Sequence, residues 1–162
     1  MTELLYRVTP EDTVLGAVER AEAHRDQVLH RSGVVFLRRS DQRVLLQHRS
    51  PEKPIFPDRD ECSAAFHVTF DEAYEQAAER ELREETGIRA PVRPVGKFLH
   101  RDPPEYQIVA VFVSASDAPV RIDPSEASSY AFRTKGEVDR IVRAGQVTPW
   151  LREGWPIARP FL

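Results

Sequence analysis

Among its 162 residues the chain has one cysteine, Cys62, one methionine, and no apolar run longer than Ile108 to Val113. A single cysteine excludes an internal disulfide framework and fits a reducing compartment. The apolar run is far too short to span a bilayer. The opening stretch MTELLYRVTPED carries acids where a signal peptide needs basic residues followed by an apolar segment, so the expected location is cytoplasmic, with no membrane partner. Charge of one sign is also lacking. A net charge of -3 describes a mixed surface and points to no nucleic-acid polymer as partner. No repeat or low-complexity segment is visible, and the thirteen prolines are spread through turns instead of forming a linker. One domain over residues 1–162 is the expectation.

What is present reads as strands around a charged helix. Leu4 to His30 suggests a strand or two with a polar connection, Val18 to Arg25 being charged. Gly33 to Leu37 and Val44 to Leu46, separated by the polar stretch Arg38 to Arg43, predict a hairpin. Pro51 to Pro57 holds three prolines and predicts an ordered loop without ladder bonds. Strands are expected around Val95 to His100, Gln107 to Val113 and Tyr130 to Phe132. Val138, Ile141 and Val142 have helical spacing within Lys135 to Ala144. The tail TPWLREGWPIARPFL carries both tryptophans and should pack on the body. The pattern as a whole predicts an α/β or α+β sandwich.

The most informative stretch is FHVTFDEAYEQAAERELREETGI, residues 66 to 88. It predicts a helix with Asp71 as N-cap and Gly87 as the left-handed residue past its end. At 100° per residue Tyr74, Ala77, Ala78 and Leu82 form one arc, the natural core face. Glu81 and Glu85 fall inside that arc and Glu84 at its edge. Solvation accounts only for the opposite face, where Glu79 and Arg83 make an i,i+4 pair. Two carboxylates about 6 Å apart repel by roughly 3 kcal/mol at an effective dielectric near 20, and burial adds desolvation. A hard divalent cation removes that penalty, and Mg²⁺ is often shared between carboxylates and substrate phosphates. Arg80, one turn before Glu84, is placed to hold a carboxylate by a charge-assisted hydrogen bond. The residues thus point to a metal site for a phosphate-bearing substrate.

These residues resemble the Nudix box, Gly-x5-Glu-x7-Arg-Glu-U-x-Glu-Glu-x-Gly-U with U aliphatic. Glu72 and the run Arg80 to Ile88 match it, and only the first position departs. The segment from Val14 to Val68 is similar to Nudix proteins related to isopentenyl-diphosphate isomerase. The resemblance implies a Nudix-type α/β/α sandwich with a mixed central sheet and the box as loop, helix, loop. It also implies Mg²⁺ or Mn²⁺ dependence and hydrolysis of a diphosphate bond in a nucleoside diphosphate derivative or similar small phosphorylated molecule. Carried over by position, Glu81, Glu84 and Glu85 are metal ligands, Arg80 orients them, and Glu72 supports.

Two positions depart from the family. Phe66 stands where the box begins with glycine, and Asp71 where the residue before the box glutamate is commonly glycine. A bulky aromatic at the first position is expected to strain the loop or block the site. The competing reading is therefore a Nudix-fold ligand-binding module without turnover. An isomerase is disfavoured: the positions of its catalytic cysteine and glutamate are Ala65 and Gln107. Cys62 is read as a small packing residue.

Glu105 falls where the isomerase branch has a further metal-binding carboxylate, although on a loop after Pro103-Pro104 it also reads as a turn-flanking charge. Glu126 is a second such candidate, because many Nudix hydrolases bring a later glutamate to the metal. Arg49 and Lys53, flanking the proline-rich loop, are either diphosphate ligands or ordinary solvated cations. His67 reads as a strand or loop residue, and His24, His30, His48 and His100 show no metal-ligand spacing. No aromatic among Tyr6, Phe36, Phe56, Tyr106 and Trp150 is singled out as a shelf for a base. The oligomeric state, a homodimer included, is open.

Overall fold

The computed structural model describes residues 2–162. Along the chain run β1 (Leu4–Val8), β2 (Val14–Glu19), α1 (Arg20–Arg25), β3 (His30–Arg38), β4 (Val44–Arg49), β5 (Asp60–Glu61), β6 (Ala64–His67), α2 (Tyr74–Thr86), β7 (Val92–Asp102), β8 (Glu105–Ala115), β9 (Ala127–Arg133), α3 (Lys135–Ala144) and α4 (Pro149–Ala158), followed by a 3₁₀ turn, Arg159–Phe161. No helix among the described residues is long and apolar enough to cross a membrane.

β3 and β8 form the centre, pairing parallel from His30↔Gln107 to Arg38↔Ala115. Successive side chains of a strand point to opposite faces. Val34, Phe36, Val109, Val111 and Val113 therefore meet Leu151, Trp155 and Ala158 of α4 and Val138 of α3. Val35, Leu37, Ala110 and Phe112 meet Ala77, Ala78 and Leu82 of α2 on the other face. Burial on both faces is why these strands read as continuous apolar runs. The result is the expected α/β/α sandwich on a mixed sheet, with β3–β8 the parallel strand pair.

The other side of β3 is divided among β1 at His30, β6 over Ser32 to Val35, and β4 at Arg38. The expected β3–β4 hairpin is consequently joined only beside its turn. With β6 occupying that edge, β4 peels away to pair with β9 along its length and with β5 at Gln47 and His48. This opening between β3 and β4 leaves room for the site.

Several expectations need correction. The charged stretch after β2 is not a plain connection but contains the short helix α1, whose buried residue is Ala23. Asp71 is not the N-cap of α2. It lies two residues earlier, in the left-handed region with φ 73°. Ala73 takes the cap position, and its N–H donates to Oε1 of Gln76 at 2.7 Å. Gly87 does end the helix, with φ 74°. Glu105 is not on a loop: it opens β8, paired with Asp102 across the Pro103-Pro104 turn, and is buried. The tail packs as expected. Thr148 caps α4, and Trp155 and Arg159 both donate to Asp139 of α3.

Candidate functional site

The buried arc of α2 places Leu82 in the core and Glu81 and Glu85 beside it, at the opening between β3 and β4. Arg80 organises the acidic face. Its Nε and Nη2 donate to Glu72 at 3.0 and 2.8 Å, while Nη1 donates to Glu81 at 2.7 Å and to Glu84 at 3.3 Å. The hydrogen bonds to Glu72 lead in raising the Arg80 pKa. Glu72 in turn accepts the Thr69 N–H at 3.0 Å, which clamps the loop before the helix to the helix itself. Glu85 is buried, and its Oε2 accepts the Ala65 N–H at 3.1 Å. Glu84 stays at the rim: its side chain is 52% exposed and held by Arg80.

Glu81 and Glu85 line a cavity of about 210 Å³ together with Glu61 and Glu126. Sequence reading missed Glu61 because a two-residue strand carries no periodic signal. Its Oε1 accepts from the Cys62 N–H and the Thr148 hydroxyl, each at 2.8 Å, and its Oε2 faces Arg49 at 3.5 Å. Burial pushes the pKa of Glu85 well up, with the charges of Glu81, Glu126 and Glu61 adding to it, and burial also raises Glu61 and Glu81. Such an all-oxygen donor set with mutual repulsion fits Mg²⁺.

The two cations of the 50–57 region divide in role. Arg49 donates to the carbonyls of Phe56 at 3.1 Å and Ile55 at 2.8 Å, so it pins the loop. Among the described residues the Lys53 ammonium bonds Glu126 alone, at 2.7 Å, and keeps two protons for other partners.

Phe66 does not strain the start of the box. It lies within β6 opposite Gly33, with its ring over that glycine, and it is buried. Asp71 adopts the glycine-like backbone itself, which Asp tolerates better than most residues.

A second cluster sits on the same cavity. His24 of α1, His30 of β3, His67 of β6 and Glu105 of β8 bring one ligand atom each to within 4.8 Å of one another. The absence of ligand spacing among the histidines is thereby corrected: the donors come from four separate elements, so no short sequence interval relates them. His48 and His100 stay apart, paired with Asp60 and Glu153.

His30 donates Nδ1–H to the Val28 carbonyl at 2.8 Å, leaving the Nε2 lone pair buried without a hydrogen-bond partner among the described residues. His67 is pushed down to about 3, first by burial and then by His30, and is neutral. Burial works to raise Glu105, but the hydrogen bond from His24 helps to hold it below its ordinary value. Three imidazoles around one carboxylate, with an orphaned lone pair on His30 among them, fit a divalent cation.

The chain is 34% identical over 157 residues to a prenyl-diphosphate phosphatase of Methanosarcina mazei, covering 93% of this chain and 92% of that one. It is 34% identical over 153 residues to an isopentenyl-diphosphate Delta-isomerase of Nocardia farcinica, covering 89% and 87%. A crystal structure from Deinococcus radiodurans superposes with a TM-score of 0.78 at 26% identity, covering 95% of this chain and 98% of that one. The NUDIX domain model matches residues 28–152, a span that takes in the box helix, Glu61, Glu126 and all of the His–Glu cluster but His24, and the chain belongs to the Nudix family.

Proposed function

We propose that this chain is a Mg²⁺-dependent hydrolase that cleaves the diphosphate bond of a small substrate, and that a prenyl diphosphate is the class its cavity suits best. One observation carries the reading. Glu81 and Glu85 of α2, joined by Glu61 and Glu126, face a cavity that also holds Lys53, Arg20 and the His–Glu cluster, with apolar surface from Ile55, Phe66 and Trp150. A nucleobase needs free hydrogen-bonding groups. Here Gln107 and Arg49 are committed to protein partners and Arg20 is paired with Glu3, while Ile55, Phe66 and Trp150 offer apolar surface to a hydrocarbon chain. The likeness to a prenyl-diphosphate phosphatase points the same way.

Glu81 and Glu85 would hold Mg²⁺, with Glu84 at the rim. An ion held there would supply charge neutralisation of the phosphate oxygens and polarisation of the attacking water. Arg80 keeps three carboxylates oriented, and the spare protons of Lys53 meet the diphosphate. A buried carboxylate with a raised pKa is suited to accept the proton of the water, and Glu61, raised by burial and not among those ligands, is placed on the same cavity. The His–Glu cluster offers a second cation position, of the kind Mn²⁺ accepts.

The other readings have less support. Isomerisation needs proton transfer to and from carbon, and neither the methyl of Ala65 nor the amide of Gln107 does that. A binding module without turnover was suggested by Phe66 and Asp71, yet neither distorts the box helix. The test is phosphate release from isopentenyl, dimethylallyl and geranyl diphosphates, nucleoside diphosphates, sugar nucleotides and ADP-ribose, with Mg²⁺ or Mn²⁺. Turnover that Glu85→Gln abolishes supports the hydrolase. An inert parent protein across the panel points to the binding module.

A further inference from the structure

Gln107 stands between the His–Glu cluster and α4, and its hydrogen bonds fix which way its amide points. The indole Nε1–H of Trp150 donates to Gln107 at 3.0 Å, and an indole nitrogen is a donor only. The atom facing it must therefore be the carbonyl oxygen, Oε1. The Ser32 hydroxyl also donates to Oε1, at 3.0 Å, in preference to the Ile108 carbonyl at 3.5 Å. With two donors on Oε1, the Nε2 amide is turned toward the cluster. It donates to Oε2 of Glu105 and lies 3.4 Å from Nε2 of His67. Gln107 is itself 2% exposed, so water cannot replace any of these partners.

Resting on the cation reading of the His–Glu cluster, we propose that Gln107 is a positioning residue rather than a ligand. Its carbonyl is anchored by Trp150 and Ser32, its amide sets the rotamer of Glu105 and the facing edge of His67, and occupancy of the cluster is thereby transmitted to Trp150 at the start of α4. A cation drawn between Glu105 and His67 pulls both atoms that Nε2 touches. The planar amide cannot move on one side without moving the acceptor that the indole holds on the other. Trp150 also lines the substrate cavity, so the link joins the cluster to the cavity wall.

The test uses the full chain, Zn²⁺ as a diamagnetic probe, and NMR of imidazole and indole nitrogens. Zn²⁺ binding, read on His24, His30 and His67, is expected to shift the indole N–H resonance of Trp150 and to leave that of Trp155, which is bonded to Asp139, in place. Gln107→Met removes the amide. It should weaken Zn²⁺ binding about 10- to 100-fold, the usual cost of losing a partner that orients metal ligands, and abolish the Trp150 shift. Because Gln107→Met leaves the Ser32 and Trp150 donors without their acceptor, a cost to folding, Trp150→Phe provides the second arm. It touches no ligand, and a smaller fall in affinity is expected.

Zn²⁺ binding to the imidazoles without a Trp150 shift overturns the proposal, as does unchanged affinity in the folded variants. Absence of any Zn²⁺ binding at the imidazoles overturns it too. That last result leaves diphosphate hydrolysis at the box carboxylates standing if the substrate panel shows turnover, so the two readings fail separately.

Discussion

The ring of Phe66 lies across Gly33: a Cβ built on Gly33 would sit 2.5 Å from Cζ and 2.8 Å from Cε2 of that ring. The glycine absent from the first position of the box is thus matched by one on the neighbouring strand, which makes room for the aromatic. Gly33→Ala should destabilise the chain by about 1–3 kcal/mol through overpacking, measured by denaturant unfolding. Adding Phe66→Leu should recover part of that loss, because residues in contact couple. Fully additive losses in the double variant would show that the two positions do not share the space.

Glu85 is the buried member of the carboxylate group, and burial raises its pKa above the ordinary 4.5. A carboxylate whose pKa is higher in the folded state lowers stability once the pH exceeds its unfolded value. In the metal-free protein Glu85→Gln should therefore melt at a higher temperature than the parent above neutrality, with the gap closing as the pH falls towards 4.5. Added Mg²⁺ should raise the melting temperature of the parent and leave that of Glu85→Gln in place.

Arg49 and Lys53 should separate in kinetics. Arg49 spends its donors on the carbonyls of Ile55 and Phe56, so Arg49→Ala should lower stability and loosen the loop. Lys53 has donors to spare, and Lys53→Ala should raise KM by about 10- to 100-fold with a much smaller change in kcat, the scale of a lost hydrogen bond to a charged group. A Lys53→Ala defect confined to kcat would count against diphosphate binding by this residue.

Asp12, with φ 65°, ties the β1–β2 turn to the body through Lys97 at 2.6 Å, Arg31 at 2.7 Å and the Tyr74 hydroxyl at 2.9 Å. Burial works to raise its pKa, but those three hydrogen bonds outweigh burial and hold it below 3.8. Its contribution is then present above 3.8 and is lost as the pH falls through the lower, folded value. Asp12→Asn should melt below the parent at neutral pH, and the two curves should converge in acid. A constant gap at all pH values would assign the difference to packing.

The sequence disclosed what is local. Helical spacing alone placed Glu81 and Glu85 on the buried arc of α2, and the apolar runs of β3 and β8 marked the centre of the sheet. What was hidden is nonlocal. His24, His30, His67 and Glu105 lie on four elements: β3 pairs with β6 on one side and β8 on the other to bring three of them together, and α1 adds His24. Glu61 sits on a strand too short to have a period. α1 buries only Ala23, so its six residues show no apolar stripe and pass for a charged connection. The accommodation of Phe66 depends on Gly33, more than thirty positions away.

The most direct measurement is ³¹P and ¹H NMR of one sample, with the protein, Mg²⁺ and isopentenyl diphosphate in D₂O, run beside Glu85→Gln and a nucleoside diphosphate. The account predicts that the diphosphate resonances of the prenyl substrate give way to phosphate products, with no deuterium entering its carbon chain and no change in the Glu85→Gln sample. Deuterium at carbon with the diphosphate intact, or hydrolysis that Glu85→Gln leaves undiminished, would contradict it.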